Sequence, residues 1–283
     1  MKCFAFVFVA LLAAVPALFA QTKNGVASPA VTVSQGGVAR WSGNCARCSF
    51  GKQAWAAVGG TCYYPVDMEK KPGVYTVSRR TTGGKLESGK LTVELKECER
   101  EDIANFVKTE YIDVSAADLA RHKKESAVVR PLLAFSSTEV PAAFDLPLTK
   151  AAKQLPKGND NFGTCRTFNG QARDRHTGTD YPVGGGQSIL SVADGTIMLA
   201  VGHFYSGNSV YINHGNGLIS EYFHLKGIEV KEKEMVKKGQ KIGLVGETGR
   251  STGPHLHLGI RWHGARINPT LLLEDPTNLP EIR

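Results

Sequence analysis

From about Gly25 to Arg100 the chain alternates short apolar runs with polar positions and cuts them with Gly and Pro, as in VTVSQGG, QAWAAVGG, KKPGVYTVSRR and GKLTVELKE. A period of two sends successive side chains to opposite faces, and turn signals at this spacing predict a small antiparallel β-sandwich. The pattern then changes. Ser115 can cap a helix with Asp118 in its first turn, running through LARHKKESAVV and ended or kinked near Pro131. Its Lys and Arg read as a solvated face, and the helix as a connector rather than a site. A polar, Pro-containing stretch from Ser136 to Asn161 leads to a second β-rich unit, in which Asp194-Gly195, Asn216-Gly217 and His263-Gly264 divide TIMLAVG, SVYIN, LISEYFHL and LHLGIRW. That predicts an antiparallel sheet with Gly-rich loops at 177 to 187 and 246 to 254, where sites usually lie. The expected class is mainly all-β. The expected divisions are residues 1–20, 21–102 (sandwich), 103–140 (helical connector) and 141–283.

Composition changes the picture at three points. The opening MKCFAFVFVALLAAVPALFA carries one charge, an apolar run, Pro16 and a small Ala20 before Gln21, so it reads as a cleaved export signal, with a membrane anchor as the alternative. In an exported protein the remaining Cys45, Cys48, Cys62, Cys98 and Cys165 are expected to form disulfides, with one thiol left over. The first four fall within or beside the predicted sandwich and would staple it; a four-cysteine zinc ribbon is the weaker alternative, since only one C-x-x-C is present. The formal net charge of +8 suits an anionic neighbourhood such as cell-envelope polymers, and no nucleic-acid-binding motif accompanies it.

Seven of the eight histidines lie between His176 and His263. In GPHLHLG, His255 and His257 are two apart, so on a strand both face one site while Leu256 and Leu258 face the core. In HTGTD, His176 and Asp180 bracket a glycine, and EYFHL places His224 late in a strand. Histidine and carboxylate together make a plausible three-ligand zinc site, with further histidines free for acid–base chemistry. Residue chemistry alone leaves open whether His255, His257 or both bind metal. His203, His214 and His263 flank Gly-rich turns without partner motifs and read as surface or turn residues.

The blocks HTGTD (176–180), VADGTI (192–197), SGNSVYINHGNGLISEYFHL (206–225), VKKGQKIGLVGETGRSTGPHLHLGI (236–260) and INP (267–269) resemble the M23 family of zinc metallopeptidases, the LytM or lysostaphin-like enzymes. FNGQARDRHTG (168–178) resembles the Gram-negative branch, in which a small β-sandwich precedes the catalytic domain. The resemblance implies one zinc held by His176, Asp180 and His257, with His255 as general base and His224 assisting it or stabilising the oxyanion. Bound zinc would lower the pKa of water and polarise a peptide carbonyl. Asn213 and Phe223 depart from residues common at their positions, and neither removes a ligand. The implied substrate is the peptide part of peptidoglycan, met in the periplasm or outside the cell, with no nucleic-acid partner and no stable membrane insertion after signal removal. Two other readings are a catalytically inactive M23-like regulator of a wall amidase, which would usually lack a ligand, and an adhesin whose sandwich carries the function.

Overall fold

The computed structural model describes residues 28–133 and 161–283. The export-signal reading of residues 1–20 and the polar stretch up to residue 160 fall outside the described residues. The N-terminal unit holds a five-stranded sheet in the order Ala30–Ser34, Leu86–Glu94, Gly73–Thr81, Cys45–Phe50, Gln53–Ala56, together with a ribbon of Val38–Ser42 and Thr61–Pro65. Both contribute to one core, in which Val77, Leu91 and Val93 of the sheet join Trp41, Cys62 and Tyr64 of the ribbon. The sheet is not wholly antiparallel, because Ala30–Ser34 runs parallel to Leu86–Glu94 in the register Val31 to Leu91. More than fifty residues separate those strands, room enough for the crossover a parallel pair needs.

The cysteines do not all staple this core. Cys48 bonds Cys62 across it, whereas Cys98 reaches Cys165 in the second unit, and Cys45 is a buried free thiol. These pairings rule out the zinc-ribbon alternative. Next to Cys98, strand Arg100–Ile103 lies parallel to Cys165–Phe168, pairing Glu101 with Arg166.

Helix Ala116–Leu133 is capped by Ser115, whose Oγ accepts the Asp118 N–H at 3.1 Å. Pro131 lies inside it and does not end it: the helix continues to Leu133, the edge of the described residues. No residue of the helix is buried. It docks through polar and aromatic edges instead. Glu125 accepts the Phe204 N–H at 2.9 Å, and the ring of His122 packs edge-on against Tyr205 at 4.7 Å.

The second unit is an antiparallel sheet in the order Gly178–Tyr181, Leu256–Trp262, Leu218–Leu225, Gly207–Asn213, Gly195–His203, Met235–Val236, with Ala265–Ile267 also on Leu256–Trp262. A three-stranded sheet of Ser188–Leu190, Lys241–Leu244 and Gly227–Ile228 shares its core. Tyr181, Tyr222, Leu256 and Leu258 point into that core from one face of the larger sheet, which leaves the alternate positions for the other face. The units are joined elsewhere too. Val38 packs with Leu218, Ile260 and Trp262, and Ile282 enters the N-terminal core while the Arg40 N–H donates to Pro280 O at 2.9 Å.

The histidines expected at the surface or in turns divide: His263 stays in its turn, partly covered, whereas His214 is buried. His263 stacks on Trp55 at 4.1 Å. His214 is 4 % exposed, its Nδ1 at 2.8 Å from Asp194 O and its Nε2 at 2.7 Å from Ser220 Oγ, so the neutral ring donates to the carbonyl and accepts from the hydroxyl. The neighbouring Asn213 accepts the Gly215 N–H at 2.9 Å through Oδ1 and so closes the turn as an aspartate would. Burial lowers the His214 pKa to about 4. The unfolded chain therefore binds a proton near pH 6.5 that the folded chain refuses until about pH 4, and stability falls as pH drops through that window. Denaturant unfolding at pH 7 and pH 4 should show a loss on the order of 3 kcal/mol attributable to this residue, and His214→Gln should flatten that acid limb.

Candidate metal and catalytic site

The site begins with strand pairing. Asp180 lies directly opposite His257 across strands Gly178–Tyr181 and Leu256–Trp262, so the two side chains share the face turned away from the core. His176 enters two residues before the first of these strands. The geometry brings three donor atoms together: His176 Nε2 is 3.0 Å from Asp180 Oδ1, His257 Nδ1 is 2.9 Å from the same oxygen, and the two nitrogens are 2.9 Å apart. His176 Nδ1 is 2.8 Å from Asn161 O and must donate to it, which leaves a lone pair on the converging Nε2. Two imidazole nitrogens and a carboxylate oxygen at this separation are a donor set that fits a small divalent cation, with room for a further ligand.

Burial pushes the Asp180 carboxyl upward, but the charges and hydrogen bonds of His176 and His257 outweigh it and hold the group well below the usual carboxylate range. Burial lowers His257, aided by His176 and opposed by Asp180. The ionised carboxylate is the form in which Asp180 could ligate a cation. Asp180 is also held from outside. Arg166 Nη2 donates to its Oδ2 at 2.9 Å, Arg166 Nε donates to Glu101 at 2.6 Å, and the Asp180 N–H donates to Asn161 Oδ1 at 2.9 Å. His257 differs from His176 and Asp180 in that its Nε2 is buried without a hydrogen-bond partner among the described residues. Phe223 orients the ring instead, stacking on it at 5.1 Å with an interplanar angle of 2°.

His255 and His224 face the same space. His255 Nδ1 lies 2.8 Å from Gly253 O and 3.2 Å from Ser251 Oγ, while its Nε2 is 3.7 Å from Asp180 Oδ1. His224 Nδ1 lies 2.8 Å from Thr248 O, and the two rings are 4.8 Å apart. With each Nδ1–H given to a backbone carbonyl, each neutral ring presents an accepting Nε2. Strict alternation would turn His224 into the core, since Phe223 already faces the site. A left-handed backbone at His224, φ 65°, breaks the alternation so that consecutive residues face the same way. Burial, then the neighbouring His255 and His257, hold His224 well below the usual imidazole range.

All five sequence-predicted site residues, His176, Asp180, His224, His255 and His257, thus line one groove of about 1410 Å³. The 177–187 segment is not all loop, because Gly178–Tyr181 is the strand that carries Asp180. Nor is the helix a bare connector: Leu119 and His122, with Glu99 to Glu101, form part of the groove wall. Asn161 and Arg166 were not legible as site residues. Neither stands in a motif, and only the fold brings them to Asp180.

The model of peptidase family M23 matches residues 174–269. The peptidoglycan DD-endopeptidase ShyA of Vibrio cholerae is 43 % identical over 93 residues, which are 33 % of this chain and 22 % of that protein. The DD-carboxypeptidase/endopeptidase Mpg of Neisseria meningitidis is 44 % identical over 94 residues, again 33 % and 22 %. The chain thus spans about a fifth of the length of these relatives. A crystal structure from Pseudomonas aeruginosa, ascribed to peptidase M23, superposes with a TM-score of 0.62 at 25 % identity and covers 85 % of this chain and 94 % of its own.

Gly178 offers a test of the site's packing. A Cβ there would press into Leu258 O and the His257 ring. Gly178→Ala should cost about 1 to 3 kcal/mol in thermal unfolding and lower the metal retained after dialysis, because the ring must shift.

Proposed function

We propose, from the premise that residues 174–269 are an M23 peptidase domain, that the protein is an exported zinc metalloendopeptidase that hydrolyses peptide cross-links or stem peptides of bacterial peptidoglycan. The observation that carries this reading is the convergence of His176 Nε2, His257 Nδ1 and Asp180 Oδ1 at 2.9 to 3.0 Å beside two further histidines with accepting Nε2 atoms. Relatives named as peptidoglycan DD-endopeptidases support the substrate class. The sequence of residues 1–20 supports export to the periplasm or beyond, and no described helix is long and apolar enough to cross a membrane. The divisions 21–102, 103–140 and 141–283 serve only as a proposed outline of the chain, because the Cys98–Cys165 bond and the Ile282 contact cross them.

In this reading His176, Asp180 and His257 hold one zinc ion, which when bound supplies Lewis-acid polarisation of a peptide carbonyl and acidifies water. His255 accepts the proton of the attacking water at Nε2 and returns it to the leaving amine. Its Nδ1–H, given to Gly253 O, fixes the tautomer that makes this possible. His224 has the same polarity, so its accepting Nε2 assists His255 by orienting the attacking water. Asn161 and Arg166 position Asp180.

A catalytically inactive regulator of a wall amidase is the alternative, and it is disfavoured because none of the five site residues is missing. The two are separated by incubating the purified protein, loaded with zinc, with purified sacculi. Release of cross-link fragments, abolished by a chelator, is expected; an unchanged muropeptide profile would sink the hydrolase reading. His257→Ala should lose both metal and activity, whereas His255→Ala should keep about one zinc per molecule while losing roughly 10²- to 10⁴-fold in rate.

A further inference from the structure

Five arginines line the groove; three of them, Arg166, Arg173 and Arg175, are already occupied, and Arg100 is exposed to solvent. Arg166 bridges Glu101 and Asp180; Arg173 donates to Ala172 O, Ile112 O and Gln171; Arg175 donates to Gly163 O, Met68 O, Lys96 O and Gln35. Arg250 differs. Its guanidinium lies over the ring of Tyr205 at 4.9 Å and over that of Phe168 at 5.5 Å, and among the described residues it has no ion pair and no hydrogen-bond acceptor. Its backbone N–H donates to Tyr205 O at 2.8 Å, which anchors the side chain beside that ring. The next residue, Ser251, contacts His255 Nδ1, so the loop that places the proton acceptor also places this cation.

We propose that Arg250 is the recognition point for a carboxylate on the peptide that occupies the groove. The assignment rests on the peptide-hydrolase reading above and deepens it. The two aromatic rings hold the guanidinium in place while its N–H groups have no acceptor among the described residues, and a guanidinium fork matches a carboxylate with two bonds. A partly buried cation without a counter-charge is costly, and burial lowers the Arg250 pKa, with Arg173 and Arg166 adding to the effect; Asp174 eases it without forming an ion pair. An incoming carboxylate resolves this, whereas an amide in its place cannot. The recognised group is the carboxylate at the peptide's C-terminus or one on an acidic residue within it, and both have the same chemistry.

Binding can be read without turnover on the metal-free protein, which removes any carboxylate–metal contact. Four probes suffice: acetyl-Ala-Glu-Ala, acetyl-Ala-Gln-Ala and the C-terminal amides of both, titrated by NMR against wild type, Arg250→Met and Arg250→Lys. Wild type should bind the form bearing the recognised carboxylate about tenfold or more tighter than the form lacking it, and the probe that loses affinity tells acidic residue from C-terminus. Arg250→Met should bring that ratio near one, and Arg250→Lys, with the charge but not the fork, should fall between; unchanged melting curves show that the variants are folded. Equal affinity across the four probes, no saturable binding of the dicarboxylate, or discrimination that survives in Arg250→Met overturns the assignment. Discrimination in a wild type that leaves sacculi intact supports the anion site while removing the hydrolase reading.

Discussion

The pairing of Asp180 with His257 across two antiparallel strands is the contact on which the site depends. Direct cross-strand neighbours share a face at a separation fixed by the sheet, so metal-binding geometry follows from register and not from loop conformation. Other features protect that register. Gly178 leaves the volume the His257 ring occupies, Leu256 and Leu258 lock the strand to the core from behind, and Phe223 closes over the imidazole. A slip of one residue would put the leucines in the groove and the histidines in the core, which no side-chain adjustment could repair.

Asp180 also shows how the two halves of the protein meet. One of its oxygens faces the histidines while the other is held by Arg166, which in turn is held by Glu101 of the adjacent parallel strand. The Cys98–Cys165 disulfide fastens that strand pair at its start. The position of the Asp180 carboxylate is therefore set by residues from both sides of the expected boundary, and the groove wall is partly built from the segment between them. This arrangement makes the N-terminal unit a structural component of the site and not a detachable neighbour.

Much of this was legible in the sequence because local chemistry dictates it. The alternation in LHLGIRW and the turn dipeptides reported strands of the second unit, because period-two patterning needs no long-range information, while the HTGTD, EYFHL and GPHLHLG blocks, read with their resemblance to a known family, pointed to the five residues that line one groove. Four features escaped, and each depends on distant pairing or on a local break in the pattern. The backbone at His224 inverts the face that alternation assigns it. His214 looked like a turn residue, yet Ser220 and Asp194 satisfy it inside the fold. The parallel strands and the Cys98 bond join segments many residues apart, and Asn161 and Arg166 acquire their roles only through such contacts.

The contact of residues 280 to 283 with the first sheet bears on the order in which the molecule can assemble. Glu281 pairs with Arg40 and with Ser42 across about 240 positions, and Ile282 supplies part of a core otherwise made from residues 31 to 93. Closing so large a loop is entropically late, so the first sheet is among the last parts to reach its final packing. Until then its sheet stays open at one edge. The first sheet therefore reaches its final packing only when residues 280 to 283 are in place beside it, so its stability is tied to chain far away in sequence.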